Sequence, residues 1–304
     1  MYKSVWLPQK KSNTSLAIIE FLDYVYSSLD NKQSSIAVYP DFSKAFDTVN
    51  HDILMSKLLH NGIRGVMQSW FKSYLSNRKH YVSVKNCSSS MSNITLGVSQ
   101  GSVLGPVIFI WYIDDMHRSS HQMHFVHFPD GTTVFSSGSD INNVHTTVNS
   151  ELVGVDNLLK TNILSLNVSR CSYMIISNKN AFDINIRESI LTKVSTVKFF
   201  GVTLDENLSF NAHVNKVTSK ISKSVGVMRR LHCQLPANVM AKLNYFLVYS
   251  HLTYASLSWG RSGRLMLLRL SVLTGEHANY SQIITKIYSI FTLFMITLLS
   301  TQIP

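Results

Sequence analysis

Three short segments carry the residue types that could do chemistry. The first is Val38-Tyr39-Pro40-Asp41-Phe42-Ser43-Lys44-Ala45-Phe46-Asp47-Thr48-Val49. An apolar lead-in ends on a carboxylate, and an aromatic follows five residues later. A strand that ends on Asp41 holds its carboxylate at the lip of a sheet, where it can grip a divalent cation. Phe46 can close over a bound ligand from the turn behind. The second segment is Gly97-Val98-Ser99-Gln100-Gly101-Ser102-Val103-Leu104-Gly105-Pro106, and the third is Phe128-Pro129-Asp130-Gly131.

Together, and in this order, the three segments resemble the palm of reverse transcriptases of non-LTR (LINE-type) retrotransposons. The resemblance implies an α+β fold: a right-hand polymerase palm with partial fingers and a helical thumb. It makes Asp41 the motif A carboxylate and Asp130 the first motif C carboxylate, together holding two Mg²⁺. Such ions lower the pKa of the primer hydroxyl and stabilise charge on the transferring phosphate. Phe46 matches the aromatic under the nucleotide ribose. Gln100 and Gly101 match the turn that positions template base and nucleotide. Arg170, in Leu164-Ser165-Leu166-Asn167-Val168-Ser169-Arg170-Cys171, stands where the family has a proton-donating lysine. Arginine keeps its charge and is a poorer general acid. The implied partners are an RNA template, a DNA primer and deoxynucleoside triphosphates. Phe199-Phe200-Gly201-Val202 resembles the primer-grip turn, and Tyr254 to Gly260 a downstream segment of the family.

Tyr112-Ile113-Asp114-Asp115 spells the polymerase signature Y-x-D-D more faithfully than the third segment does. It lies close behind Gln100, inside the element that continues motif B, and no returning apolar strand follows it. Asp130 is therefore preferred as the catalytic carboxylate. The motif around Asp130 departs from the family: Gly131 replaces the second Asp and Pro129 a small residue. Pro40 and Ser99 are further departures. Each change is reachable by one base substitution, the pattern of a decaying mobile-element copy. Glycine offers no ligand atom, so activity is expected to be weak or absent. Pro40 and Pro129 are expected to disorder the two strand ends.

The elements that must position these residues are legible in the periodicity. Helices are expected over 14–30, 53–60 (N-capped by Asn50), 66–75, 142–159 and 211–231. Strands are expected at 36–39, 80–84, 173–177 and 197–202, with a hairpin pairing 125–128 and 132–135. Residues 86–93 read as a polar loop, and 103–113 as a buried helix or strand. In the last helix Val214, Val217, Ile221, Val225 and Met228 make an apolar stripe. Lys216, Lys220 and Lys223 make a separate one, followed by Arg229 and Arg230. That basic stripe reads either as a solvated face or as a nucleic-acid face. The implied organisation is a fingers remnant over 1–35, a palm over 36–205, a thumb-like helical region over 206–262 and a poorly patterned apolar tail over 263–304.

Composition agrees with that frame. The 304 residues carry 28 Lys and Arg against 17 acidic residues, a net charge of +11 that favours a polyanionic partner. Apolar residues at 45% and charged residues at 15% exclude wholesale disorder. Cys87, Cys171 and Cys233 lie far apart with no zinc-ligand spacing, which fits a reducing compartment. His121, His124 and His127 recur every third residue, a spacing that suits neither a helix pair nor one strand face, and no metal site is expected there. Met1 to Lys11 lacks a signal-peptide core, so an intracellular protein of cytoplasm or nucleus is expected. Residues 287–304 are uncharged but diluted by polar residues, and read as a core helix rather than a membrane span. Three functions compete: an RNA-directed DNA polymerase, an inactive nucleic-acid-binding remnant of a mobile element, and a membrane-tethered basic protein. Gly131 separates the first two, and the polar residues of the tail oppose the third.

Overall fold

A central five-stranded sheet organises the first part of the chain in this computed structural model, which describes residues 14–128, 131–177, 182–187, 189–231 and 234–260. Helix α1 (Thr14–Asp30) leads into strand β1 (Ser34–Tyr39). Helices α2 (His51–His60), α3 (Val66–Leu75) and α4 (Leu104–Ile113) follow. The hairpin β2 (His124–Phe128) and β3 (Gly131–Gly138) comes next, then α5 (Ile141–Thr161), β4 (Ser172–Ile176) and the short β5 (Thr192–Lys193). The sheet order is β5-β4-β1-β3-β2. β1 is central, antiparallel to β3 (Val38 opposite Val134) and to β4 (Val38 opposite Tyr173).

β1 is central because it can bury both faces. Ile36, Ala37 and Val38 are fully buried. Ile36, Val38, Val134, Tyr173 and Ile175 join one core with α2 to α5. Phe135, one residue out of phase with Val134, points the other way, as a period of two requires. It meets Phe21 of α1 edge-on, with ring centroids 5.1 Å apart. The helical spacing of Ile18, Phe21, Leu22 and Val25 lets α1 cover that second face.

Most expected elements form within a residue or two of their expected ends. Asn50 caps α2 as expected, its Oδ1 accepting from the Asp52 and Ile53 amides at 2.9 and 3.1 Å. The run 103–113, open between helix and strand, is helix α4. Two expectations fail. The single strand expected over 80–84 and the loop over 86–93 are two small ribbons instead. Lys79–His80 pairs Ser92–Asn93, and Ser83–Val84 pairs Cys87–Ser88. The inner ribbon closes on Lys85 and Asn86, both at positive φ, a two-residue turn that twists with its strands. The strand expected over 197–202 is likewise interrupted: Phe200 and Gly201 both take positive φ, leaving Thr196–Phe199 and Val202–Asp205 as separate strands.

The chain divides into two compact units. The first runs to Gly201 and takes in Glu206–Leu208. The second comprises Val202–Asp205 and the chain from Ser209 onward. It is built on α6 (Asn211–Leu231), α7 (Ala237–Asn244) and short helical turns to Trp259. His213, Val214, Val217 and Ile221 are its buried stripe. Among the described residues no helix is long and apolar enough to cross a membrane. The expectations for 1–13 and for the tail lie outside the described residues.

Candidate active site

Asp41 lies two residues beyond the end of β1. Pro40 occupies the step between, where the ladder no longer needs its N–H. The chain beyond is tied to the loop over 165–171. The Asp41 amide donates to Cys171 Sγ at 3.3 Å, and the Asp41 carbonyl accepts from Asn167 N at 2.8 Å. Ser43 N donates to the Ser165 carbonyl at 2.8 Å. Burial pushes the Cys171 thiol pKa up, so the sulfur stays a neutral acceptor at the back of the turn.

Asp41 and Gly131 line one cavity of about 480 Å³, together with Lys44, Phe46, Gln100 and Gly101. Extending the β1–β3 register past Val38 and Val134 brings Asp41 level with Gly131, which explains their meeting. β2 and β3 pair up to Phe128 opposite Gly131. Pro129 and Asp130 fall between these ends and lie outside the described residues, as does the disorder expected at Pro129. A Cβ on Gly131 would meet nothing within 4 Å, so the position has room for a side chain.

The other wall is a lacing of two loops. Val98 N donates to the Phe46 carbonyl, and Gly97 N to the Val49 carbonyl, each at 2.8 Å. The backbones approach so closely that a Cβ on Gly97 would lie 2.8 Å from the Asp47 carbonyl oxygen. Phe46 is half-buried and packs on Phe109 of α4, centroids 5.2 Å apart. Gly101 turns the chain at φ +81°. Gln100 is exposed, and its Nε2 donates to Asp47 Oδ1 at 2.9 Å. Asp47 and Lys44 belong to the site, yet sequence reasoning passed them over. Both stand inside the first segment, and their charge beside Phe46 was the available signal. Lys44 lines the cavity as a cation, on a backbone at φ +50°.

Asp114 and Asp115 sit elsewhere. They open a short 3₁₀ turn, Asp114–Ser119, that continues α4, and neither lines the cavity. Lys57 Nζ holds Asp115 Oδ1 at 2.8 Å, and Asn162 Nδ2 donates to the same oxygen at 3.3 Å. Tyr112 donates its hydroxyl to the Asn162 carbonyl at 2.6 Å. The tetrad thus ties α2, α4 and α5 together. Burial lowers the Lys57 pKa against the pull of Asp115, and burial raises that of Asp114.

Arg170 is exposed on the loop whose Asn167 and Cys171 hold Asp41, but it is not part of the cavity wall. Lys216, Lys220, Lys223, Arg229 and Arg230 are exposed on α6 in the second unit. Lys216 Nζ also donates to Thr203 Oγ1 at 3.1 Å. His124 packs on Tyr24 and Phe135. His127 is half-buried, with Nδ1 3.3 Å from Thr132 Oγ1 and a water-shielded Nε2 that has no partner. Among the described residues no three potential metal ligands gather.

Residues 5–204 match the family described as reverse transcriptase (RNA-dependent DNA polymerase). A probable RNA-directed DNA polymerase from transposon BS of Drosophila melanogaster is 28% identical over 222 residues, covering 68% of this chain and 24% of that protein. An RNA-directed DNA polymerase from mobile element jockey of Drosophila funebris is 25% identical over 271 residues, covering 84% of this chain and 29% of that protein. The chain thus spans 24% to 29% of the length of these curated relatives. Among solved structures, telomerase from Candida albicans in complex with a telomeric RNA fragment superposes with a TM-score of 0.51 at 12% identity, over 90% of this chain and 52% of that one. The likeness is one of fold, the mixed α+β polymerase architecture.

Proposed function

This chain belongs to the reverse transcriptase family, and on that premise we propose that it is the polymerase portion of a non-LTR retroelement whose chemistry is impaired in this copy. One observation carries the reading: Asp41, Phe46, Gln100, Gly101 and Gly131, drawn from three distant segments, line one cavity. The palm is taken as 36–205, after a fingers remnant over 1–35, with a thumb over 206–262 and an apolar tail beyond.

In this reading Phe46, fixed on Phe109, is the floor beneath the ribose of a deoxynucleotide. Gln100, oriented by Asp47, aligns the template base with it. Lys44 offsets triphosphate charge within the cavity. Arg170 stays protonated and serves the leaving group by charge rather than by proton donation. The α6 stripe of Lys216, Lys220, Lys223, Arg229 and Arg230 faces the phosphates of a primer–template.

Asp41 and Asp130 would hold Mg²⁺, which when bound activates the primer hydroxyl and steadies phosphate charge. The donor set fits incompletely, since Gly131 brings no oxygen to the cavity it lines. That deficit supports a nucleic-acid-binding remnant over a full enzyme. Primer extension on a homopolymer RNA template, with the natural chain beside Gly131→Asp, tests the proposal. We expect little or no extension by the natural chain and a gain on substitution. Robust extension by the natural chain would overturn the impairment, and no gain from the substituted chain would overturn the polymerase reading.

A further inference from the structure

His51 opens α2, yet its side chain bonds outside that helix. Its Nε2 lies 2.8 Å from the Gly97 carbonyl oxygen. A carbonyl only accepts, so Nε2 carries the hydrogen and donates it. Gly97 begins the turn that brings Gln100 and Gly101 to the cavity, and it is buried. A buried carbonyl needs a donor. The Asp52 and Ile53 amides at the start of α2 are taken by Asn50 Oδ1, and the imidazole meets the need instead. The ring stands on a fixed base. Asn50 N donates to the Tyr112 hydroxyl at 3.3 Å, and Lys57 ties the same helix to Asp115.

The other contacts at this point are made by backbone. Gly97 N donates to the Val49 carbonyl at 2.8 Å, Leu96 bridges Asn50, and the Gly97 Cα side abuts the Asp47 backbone. The His51 bond is made by a side chain, so it depends on residue type. Three positions on, the exposed Gln100 donates from Nε2 to Asp47 Oδ1 at 2.9 Å. One segment, Asp47 to His51, thus grips the turn at both ends. Water competes for the exposed Asp47 bond, whereas the His51 bond is partly shielded and holds more firmly. We infer that His51 is a positioning residue: through the Gly97 carbonyl it sets where Gln100 stands over the cavity, and so the preference for the nucleotide that matches the template base. The inference rests on the polymerase reading proposed above. His51 does not line the cavity itself and acts through Gln100. Small displacements of an aligning group are enough to spoil alignment.

The test is equilibrium binding of two deoxynucleoside triphosphates to the full chain on a primed RNA template, with Mg²⁺ present. The DNA primer ends in a dideoxynucleotide, so no bond forms and the chemistry of the natural chain is not needed. One nucleotide matches the next template base and the other does not. The readout is the ratio of the two affinities, because a loss of folded protein lowers both alike. We expect the natural chain to prefer the match, and His51→Leu to cut that preference about tenfold, the equivalent of one hydrogen bond. His51→Asn, polar but too short to reach Gly97, should behave like His51→Leu. His51→Gln, whose amide donates from a similar reach, should restore most of the preference. His51→Leu or His51→Asn variants with the natural ratio would make the bond a structural tie alone and overturn the inference, whatever their stability. So would a folded His51→Gln variant that shows no recovery. A natural chain that binds both nucleotides alike, or neither, would overturn the polymerase reading itself.

Discussion

At the scale of single residues, Gly131 and Gly97 are opposites. Gly131 lines the cavity with open space where a Cβ would be, so Gly131→Asp should fold normally. It should raise Mg²⁺-dependent primer extension, and adding Asp41→Asn should cancel that gain. Equal extension by the single and double variants would remove Asp41 from the proposed chemistry. Gly97 has no such room. A methyl there would meet the Asp47 backbone at 2.8 Å, on a backbone at φ +84°. Gly97→Ala should therefore cost roughly 1–3 kcal/mol, read as a lower urea midpoint, because strain and overpacking act together.

At the scale of elements, the Lys57–Asp115 pair is a brace between α2 and α4. Both side chains are largely withdrawn from water, and Asn162 of the α5 end shares the carboxylate. Lys57→Met should destabilise the protein by roughly 3 kcal/mol, since it strands a partly buried carboxylate. A loss below about 0.5 kcal/mol, typical of an exposed pair, would show that the brace carries no load. The basic face of α6 gives the second prediction at this scale. Replacing Lys216, Lys220 and Lys223 by Ala should flatten the salt dependence of primer–template binding by about one unit per lost phosphate contact. An unchanged slope would make the stripe a solvated face, with Lys216 serving only its bond to Thr203.

At the scale of the whole molecule, each compact unit withdraws the imidazole of one histidine from water. Burial depresses His127 to about 4, with His117 adding to the effect and Asp115 opposing it. His213 is likewise depressed to about 4 by burial and by Lys216 and Lys220. It packs on Trp259 and accepts from the Thr203 amide at Nδ1. For both groups the unfolded chain binds a proton more readily than the folded one. Stability is therefore full above the unfolded pKa near 6.5 and falls as pH drops toward 4. At about pH 5 the loss from His127 alone should be roughly 2 kcal/mol. Urea midpoints across that window measure it, and His127→Gln should flatten the profile. A midpoint unchanged between about pH 7 and pH 5 would contradict burial of neutral imidazoles.

The sequence by itself determined the elements and the order in which chemical segments appear along them. The 3.6-residue stripes of α1 and α6, the Asn50 cap and the strand leading to Asp41 are local patterns, and local patterns survive without a fold. It also carried the family resemblance, which residues 5–204 bear out as membership. The turns at Lys85-Asn86 and Phe200-Gly201 were missed because each puts a residue other than Gly at positive φ, which composition does not announce. The tertiary structure puts Asp41 in a cavity wall and leaves Asp114 and Asp115 out of it. Tyr112-Ile113-Asp114-Asp115 has the better spelling, yet Lys57, remote in sequence, holds Asp115 in a structural brace. The Asp47 hold on Gln100 and the bond from Arg78 to Ser99 were equally out of reach. Each depends on two loops being packed to within a hydrogen bond of one another, a distance set by the shared core beneath them and written in neither loop alone.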